Sequence, residues 1–457
     1  MESNNKSLAA PAWLTVPGDL NALDEKIWPK NCCRVGGVIH LGGIGLDQVA
    51  KKLSTPIYLL DEDDFLTRAK AFRDAFSGWK VCYASKAFLS KTVARWVKEV
   101  GLSLDVCSGG ELEIALKAGF DAANIGFHGN NKSVAELTRA LEVGVGRIIV
   151  DSNDEIARLK KLSAELKISA NVLVRVTPGV HASTHEYIAT AHEDQKFGFS
   201  IASGQAMEAL LACHEARGIN LLGIHCHIGS QIFDTAGFEV AAKRTLKLAR
   251  DFYDLTGTSI AELDLGGGFG VAYTSQDAPL TPTELAQRLN RIVDEQTGEL
   301  QIPKPQLSIE PGRSIVGPAG LALYTVGTVK QVHVDGGIRY YISIDGGMSD
   351  NIRPALYGAD YTCALANRIS TAKPVLSRVV GKHCEGGDIV VHDVYLPADV
   401  AAGDLIAVPN CGAYSRAMAS NYNQVPRPGV AAVKDGKIQM LIRSETIADL
   451  LSLDVGD

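Results

Sequence analysis

The sequence has no run of about 18 uncharged residues, which excludes an ordinary membrane-spanning helix. It has no basic excess either. Lys and Arg number 45 against 52 Asp and Glu, a formal charge of −7. That balance argues against a nucleic-acid or anionic-membrane binder, which carries a basic footprint. A pocket for one small anion needs only one or two local cations, so that class stays open. None of the nine cysteines stands in a C-x-x-C pair and there is no H-E-x-x-H, so the common zinc and redox signatures are missing. The first residues show no basic stretch leading into an apolar core. Reduced thiols in a cytoplasmic protein are therefore expected. Low-complexity tracts are absent, and the 45 glycines follow no G-X-Y period. What is present is ordinary globular composition, 46% hydrophobic and 21% charged over 457 residues, enough for two or three domains at about 150 residues each.

Residues 1–30 read as an irregular polar arm. Residues 31–60 hold two apolar runs broken by glycine pairs, Val35–Leu46 and Pro56–Leu60, more strand than helix. Over residues 61–312 short apolar runs alternate with longer amphipathic ones. Strands are predicted at Lys80–Ala84, Leu102–Val106, Asn124–Phe127, Arg147–Val150, Asn171–Val176, Leu221–Cys226, Glu262–Leu265 and Gln306–Ile309. Ser133, Asn153 and Thr281 stand where helix N-caps belong, and Thr281 is followed by Pro282 and Glu284, a capping box. Strands separated by helices in this number and over about 250 residues fit a (β/α)8 barrel of TIM type, with a doubly wound open sheet as the alternative. In residues 313–457 the helical period fades and strands dominate, so a second, mostly β domain is expected, assembled from residues 31–60 and 313–457 at both chain ends.

In such barrels chemistry sits at the C-terminal ends of the strands. Lys86 follows the first strand, Asp105 and Cys107 close the second, and His128 closes the third. His225 and His227 alternate along the sixth, Gly266, Gly267 and Gly268 follow the seventh, and Glu310-Pro-Gly-Arg313 follows the eighth. Each has a plain reading: Lys86 a solvated surface lysine, the glycines a turn, His227 a core histidine, Glu310 a partner of Arg313. Metal binding by His225 and His227 is a third reading, and no metal is expected. Together the residues fit better. A lysine that has lost solvation can condense with a carbonyl, glycines let backbone N–H groups approach a phosphate, and a carboxylate can hold a heterocyclic nitrogen protonated. These are the three protein parts that pyridoxal phosphate requires. In the β domain, Arg353 reads plainly as a surface ion pair and Cys384 as a small buried hydrophobe; beside Glu385 in a glycine-rich loop, Cys384 could instead work as an acid or base.

The ordered motifs resemble the alanine-racemase-type, barrel-based decarboxylases that use pyridoxal phosphate, and within them the diaminopimelate decarboxylase family. The resemblance runs from about residue 54 to the end. It rests on Tyr83-Ala-Ser-Lys86, Asp105-Val-Cys-Ser-Gly-Gly-Glu111, His128-Gly-Asn-Asn-Lys132, His185-Glu-Tyr-Ile188, Lys196-Phe-Gly198, His225-Cys-His-Ile-Gly-Ser-Gln231, Gly266-Gly-Gly268, Glu310-Pro-Gly-Arg313, Asp345-Gly-Gly-Met348, Arg353-Pro-Ala-Leu-Tyr357, Cys384-Glu385 and Gly412-Ala-Tyr414. It implies decarboxylation of meso-2,6-diaminopimelate to L-lysine, the last step of lysine biosynthesis. It implies that Lys86 holds the cofactor covalently, His227 stacks on its ring, Asp105 lies beside it and Glu310 pairs with its nitrogen. Ser230, the three glycines and the backbone of Gly312 and Arg313 would hold the phosphate. Arg313, Arg353 and Tyr357 would grip the substrate, Glu385 its distal amino group, and Tyr414 both cofactor and substrate. Cys384 would donate a proton, reaching in from the other subunit of a homodimer. The chain departs from the family at Arg175-Val-Thr-Pro-Gly and at Ala191-His-Glu-Asp194.

Rival readings share the fold. Ornithine and arginine decarboxylases act on substrates without a distal carboxylate, and would have no need of the Arg353 cation. A catalytically silent regulator should have lost Lys86, Cys384 or Glu310, and all three are present.

Overall fold

The computed structural model describes residues 10–179, 196–334 and 336–456; the segments His185–Ile188 and Ala191–Asp194 lie outside the described residues. The chain divides into two compact units. One comprises Leu66–Gly270 with Pro279–Ser314, the other Met1–Phe65 with Val271–Ala278 and Ile315–Asp457.

The first unit is a closed barrel of eight parallel strands. They are β1 (Lys80–Ala84), β2 (Ser103–Val106), β3 (Ile125–Phe127), β4 (Arg147–Val150), β5 (Ala170–Thr177), β6 (Ile219–Cys226), β7 (Glu262–Asp264) and β8 (Gln306–Ile309). Each pairs in parallel with the next, and β8 closes on β1 through Ser308 with Lys80 and Ile309 with Val81. The open-sheet alternative is thereby excluded. Polar caps start the helices between strands. Ser133 and Thr281 both form full capping boxes, with Pro282 in the first turn of the second. The helix Asn153–Leu166 is capped one residue earlier than expected. Ser152 keeps the extended backbone that a cap requires and accepts from Glu155 N–H, while Asn153 is already helical.

The barrel interior is not wholly apolar. Arg147 on β4 donates to Glu262 Oε1, to Cys82 Sγ at 2.7 Å and to Asp264 Oδ2 at 3.3 Å. Asp105 lies 3.9 Å from the same guanidinium. All five are buried, none more than 6% exposed. One cation thus neutralises a layer of carboxylates drawn from β2 and β7.

The second unit centres on the long strand Gly320–Val334. It pairs antiparallel with Gly337–Ile344, Leu405–Pro409 and Ile57–Asp61. Ile57–Asp61 also lies parallel to Gly429–Lys434, so a strand from the chain's beginning is sandwiched between strands from its end. Ile39, Leu41, Leu46, Val49, Leu59, Leu321, Leu323, Ala407 and Ala431 form one apolar core there. One detail differs from the sequence reading. The apolar run that ends at Leu46 opens a helix, Leu46–Leu53, which buries Leu46 and Val49 at a spacing of three. Near the chain's end Gly429–Lys434 and Lys437–Ile442 form a hairpin, because Asp435 and Gly436 take the positive φ values of a two-residue turn. Among the described residues no helix is long and apolar enough to cross a membrane.

The buried layer generates a prediction. Arg147→Met leaves Glu262 and Asp264 without their cation, so unfolding in urea should show a loss of about 3–5 kcal/mol. A loss under about 1 kcal/mol, the level of an exposed pair, would show that the layer is not held by this charge.

Candidate functional site

Every barrel strand ends at the same mouth, and the chain places its polar residues there. Lys86 sits on the single turn Ser85–Ala87 after β1; its neighbours Ser85 and Ala87 are buried while its own side chain is exposed. With Asp105, His128, His225, His227 and Glu310 it lines a cavity of about 260 Å³. Cys107, Arg175 and Phe197 line it too, with the Arg175 guanidinium 4.3 Å from the Phe197 ring centre.

Glu310 is the electrostatic centre. Its Oε1 lies 3.0 Å from His225 Nε2 and 3.2 Å from His128 Nε2, and His128 Nε2 lies 3.5 Å from Asp105 Oδ1. None of these approaches has the angle of a hydrogen bond, so Glu310 Oε1 is a buried oxygen without a hydrogen-bond partner. Arg313 does not pair with Glu310; it donates to Ser230 Oγ at 2.9 Å. Burial by itself would raise the Glu310 pKa, but attraction to His128 and His225 outweighs it and holds the carboxyl well below its usual range. Burial opposes charge on His128 as well, yet Glu310 and Asp105 push it up to about 9. His225 has the opposite fate, lowered to about 4 by burial, so a neutral ring faces Glu310. Asp105 and Asp264 are raised by burial and then by the Glu310 charge, Asp264 to about 8. Because folding raises His128, its protonated form stabilises the fold below its ordinary value of 6.5, and that contribution is lost as pH rises through about 9.

The loop after the seventh strand meets the site through His227. A Cβ on Gly266, Gly267 or Gly268 would lie 2.5, 2.2 or 2.2 Å from the backbone oxygens of Cys226, Glu310 and Gly229. Gly266 and Gly268 also have φ of +73° and +99°, which side-chain-bearing residues rarely adopt. The loop therefore presents bare backbone. Gly267 N–H donates to His227 Nδ1 at 3.2 Å, so His227 carries its proton on Nε2 when neutral. Burial, followed by the charge of Lys86, lowers the His227 pKa well below its ordinary value, which keeps the ring neutral.

An amine, a buried carboxylate oxygen still lacking a hydrogen-bond partner, and a bare glycine loop fit a pyridoxal phosphate cofactor. Among the described residues, His128, His225 and Glu310 also bring ligand atoms within 4.8 Å of one another, a set able to hold a metal ion. The histidine pair considered from the sequence, His225 with His227, is not that set: β6 ends at Cys226, and His227 turns to the glycine loop instead.

The second unit holds the other expected residues. Arg353 is 4% exposed, not a surface ion pair. It opens the short helix Arg353–Tyr357, donates to Tyr361 Oη at 2.7 Å and lies 4.7 Å from the Tyr273 ring centre. Its Nε has no hydrogen-bond partner. Tyr357 is half-buried, and so is Tyr414, whose φ is +57°. Cys384 and Glu385 are exposed, and Tyr422 Oη donates to Glu385 Oε1. Cys384 is therefore not the buried hydrophobe of the plain reading. The tyrosines at 273, 361 and 422 were not singled out from the sequence. They stand outside every motif, and only the fold brings them to Arg353 and Glu385. His128 and His225 were visible as strand-end residues, but their joint hold on Glu310 was not.

The histidine assignments can be measured. In the cofactor-free protein, proton NMR should show His128 titrating near 9 and His225 near 4. Glu310→Gln should bring His128 down. A His128 midpoint at or below 6.5 in the unsubstituted protein would refute the arrangement.

Comparisons with known proteins show the family. The family described as "Pyridoxal-dependent decarboxylase, pyridoxal binding domain" matches residues 62–317. The chain is 51% identical to a diaminopimelate decarboxylase of Mycobacterium tuberculosis over 96% of its own length and 99% of the relative's. It is 48% identical to that of Bacillus subtilis, covering 92% and 95%. Among solved structures, the diaminopimelate decarboxylase of M. jannaschii in co-complex with L-lysine aligns with a TM-score of 0.87 at 30% identity, covering 94% of this chain and 98% of that one. The chain belongs to the diaminopimelate decarboxylase family of pyridoxal-dependent decarboxylases.

Proposed function

We propose that this chain decarboxylates meso-2,6-diaminopimelate to L-lysine and carbon dioxide, with pyridoxal phosphate bound at the barrel mouth. The observation that carries the reading is the cavity itself: Lys86, His227 and the buried Glu310 oxygen that lacks a hydrogen bond line one space. When bound, the cofactor supplies an electron sink for the pair left behind as the carboxylate departs. The chain's residues supply the rest. Lys86 would hold the cofactor through its amine. Glu310, kept ionised by the charged His128 beside it, would hold a proton on the ring nitrogen. Neutral His227 would cover the cofactor's ring, with Asp105 beside it. Gly266 N–H is taken by Asp264 and Gly267 N–H by His227, so the backbone N–H groups of Gly268, Gly312 and Arg313, with Ser230, would hold the phosphate, and Gly266 and Gly267 would serve by letting the backbone pass close.

Arg353 gives the substrate its class. A guanidinium fork matches a carboxylate, and Tyr361 and Tyr273 fix its direction. Arg313, Tyr357 and Tyr414 complete the grip, and Glu385 takes the distal ammonium. Cys384, exposed on its loop, gives the α-carbon a proton from its thiol and recovers one from water. We assign it to the other subunit of a homodimer. All nine cysteines are free, which suits a reducing compartment such as the cytoplasm.

Lysine formation from meso-diaminopimelate with added pyridoxal phosphate, run beside ornithine, is the direct test. Diaminopimelate should be preferred by about 10⁴-fold or more, because ornithine leaves buried Arg353 unpaired. Turnover of ornithine alone overturns the role of Arg353. Borohydride should fix a pyridoxyl group on the Lys86 peptide, and labelling of another lysine refutes that assignment. Cys384→Ala retaining full turnover removes the proposed proton donor.

A further inference from the structure

The ladder between β1 and β2 ends at Ala84 with Asp105. Beyond that rung the two strands part. Ser85 and Lys86 enter the single turn Ser85–Ala87, while Cys107 and Ser108 lead into the helix Gly109–Lys117. One side chain continues the connection. Glu111 Oε2 accepts from the Ser85 hydroxyl at 2.8 Å and from Cys107 N–H at 2.6 Å. Ser85 is 1% exposed and directly precedes Lys86, and Cys107 lines the same cavity as Lys86.

Glu111 is itself held in place. It stands in the first turn of its helix, where the dipole favours a negative charge. Its own N–H donates to the capping Ser108 Oγ at 3.3 Å, and Gly109 N–H donates to Glu136 Oε1 at 2.8 Å. A carboxylate acceptor makes each bond of the bridge about twice as strong as one between neutral groups. The turn that carries Lys86 is also braced from its other end: Tyr83 Oη donates to Phe88 O at 2.8 Å, and Ala84 N–H to Pro311 O at 3.2 Å. Ser85 is thus the point at which the second strand and its helix take hold of the turn.

We propose that Glu111 is a positioning residue for Lys86: its bridge between Ser85 and Cys107 fixes the turn from which the lysine reaches the cofactor. The inference rests on the reading of Lys86 as the residue that holds pyridoxal phosphate. That attachment is a condensation. The Lys86 nitrogen bonds to the aldehyde carbon, and the aldehyde oxygen leaves as water with two protons from the amine. The approach of amine to carbonyl is geometrically strict, and a misplacement of about 1 Å can cost about a hundredfold in rate. A lysine stem is flexible, so the amine arrives where it is needed only if the backbone that carries it is fixed. Glu111 does this through Ser85, and it ties the strand end that bears Lys86 to the one that bears Asp105.

The test uses the full-length chain, stripped of cofactor and reloaded with pyridoxal phosphate. The rate at which the absorbance of the attached cofactor appears is measured per folded site, and borohydride then marks the lysine that holds it. Glu111→Ala should slow capture by about 10²-fold. Glu111→Gln, whose neutral amide oxygen still accepts, should recover part of that rate. Ser85→Ala keeps the Cys107 bond and loses only the link to the turn, so it should slow capture by about tenfold, the worth of one bond to a charged acceptor. It carries the test if Glu111→Ala fails to fold. Unchanged capture per folded site in either folded variant overturns the proposal, because a purely structural role lowers the number of sites and leaves their rate alone. Label on Lys86 with normal capture in the variants removes only the positioning role, whereas label on another lysine removes the reading of Lys86 on which it stands.

Discussion

A carboxylate enclosed at the mouth of a barrel stays ionised only if a positive charge stands beside it, and His128 supplies that charge to Glu310. Burial penalises both groups separately, and each makes the other's charged form the stable one. Much of the rest of the barrel interior is arranged around this pair. His225 lies as close to Glu310 but is driven neutral by burial, so the site carries one positive charge there instead of two. Asp105, on the far side of His128, is raised by the same Glu310 anion that His128 offsets. Deeper in the layer, Arg147 pairs with Glu262 and donates to Asp264. The array fixes an anion at a chosen place in a poorly solvated space, which is what a protonated ring nitrogen needs as its partner.

The glycine loop solves a different problem with the same economy. Its backbone runs so close to Cys226, Gly229 and Glu310 that no Cβ fits, and two of its φ values lie in the left-handed region. Two of its N–H groups are already engaged, Gly266 with Asp264 and Gly267 in fixing the tautomer of His227. Bare backbone and the tautomer of a histidine thus come from one short segment. In the other unit two charged residues are held by aromatic hydroxyls. Tyr361 fixes Arg353 and Tyr422 engages Glu385, so two flexible charged side chains lose freedom before any substrate arrives.

How much of this was legible in the sequence can be argued residue by residue. The eight barrel strands were legible because buried parallel strands are short apolar runs and their helices carry polar caps; Thr281-Pro282 with Glu284 is a complete signal in four residues. The helix Leu46–Leu53 was not, since eight residues give barely two turns of periodicity. Lys86, Glu310 and the three glycines announced a cofactor because each stands directly after an apolar strand. The tyrosines at 273, 361 and 422 gave no signal, since a lone tyrosine in a loop looks the same whether it faces solvent or an arginine.

Composition and order of residues by themselves determined the class of the fold, the chemistry at the strand ends and the family of relatives, because those depend on local periodicity and on motifs read along the chain. The tertiary structure alone decided which charges are real. Whether a histidine is cationic depends on the neighbours that other strands bring within about 4 Å and on how much water they exclude. His128 and His225 look alike as residues at strand ends, yet folding drives one up to about 9 and the other down to about 4. That separation comes from contacts between residues on different strands, which no local pattern records.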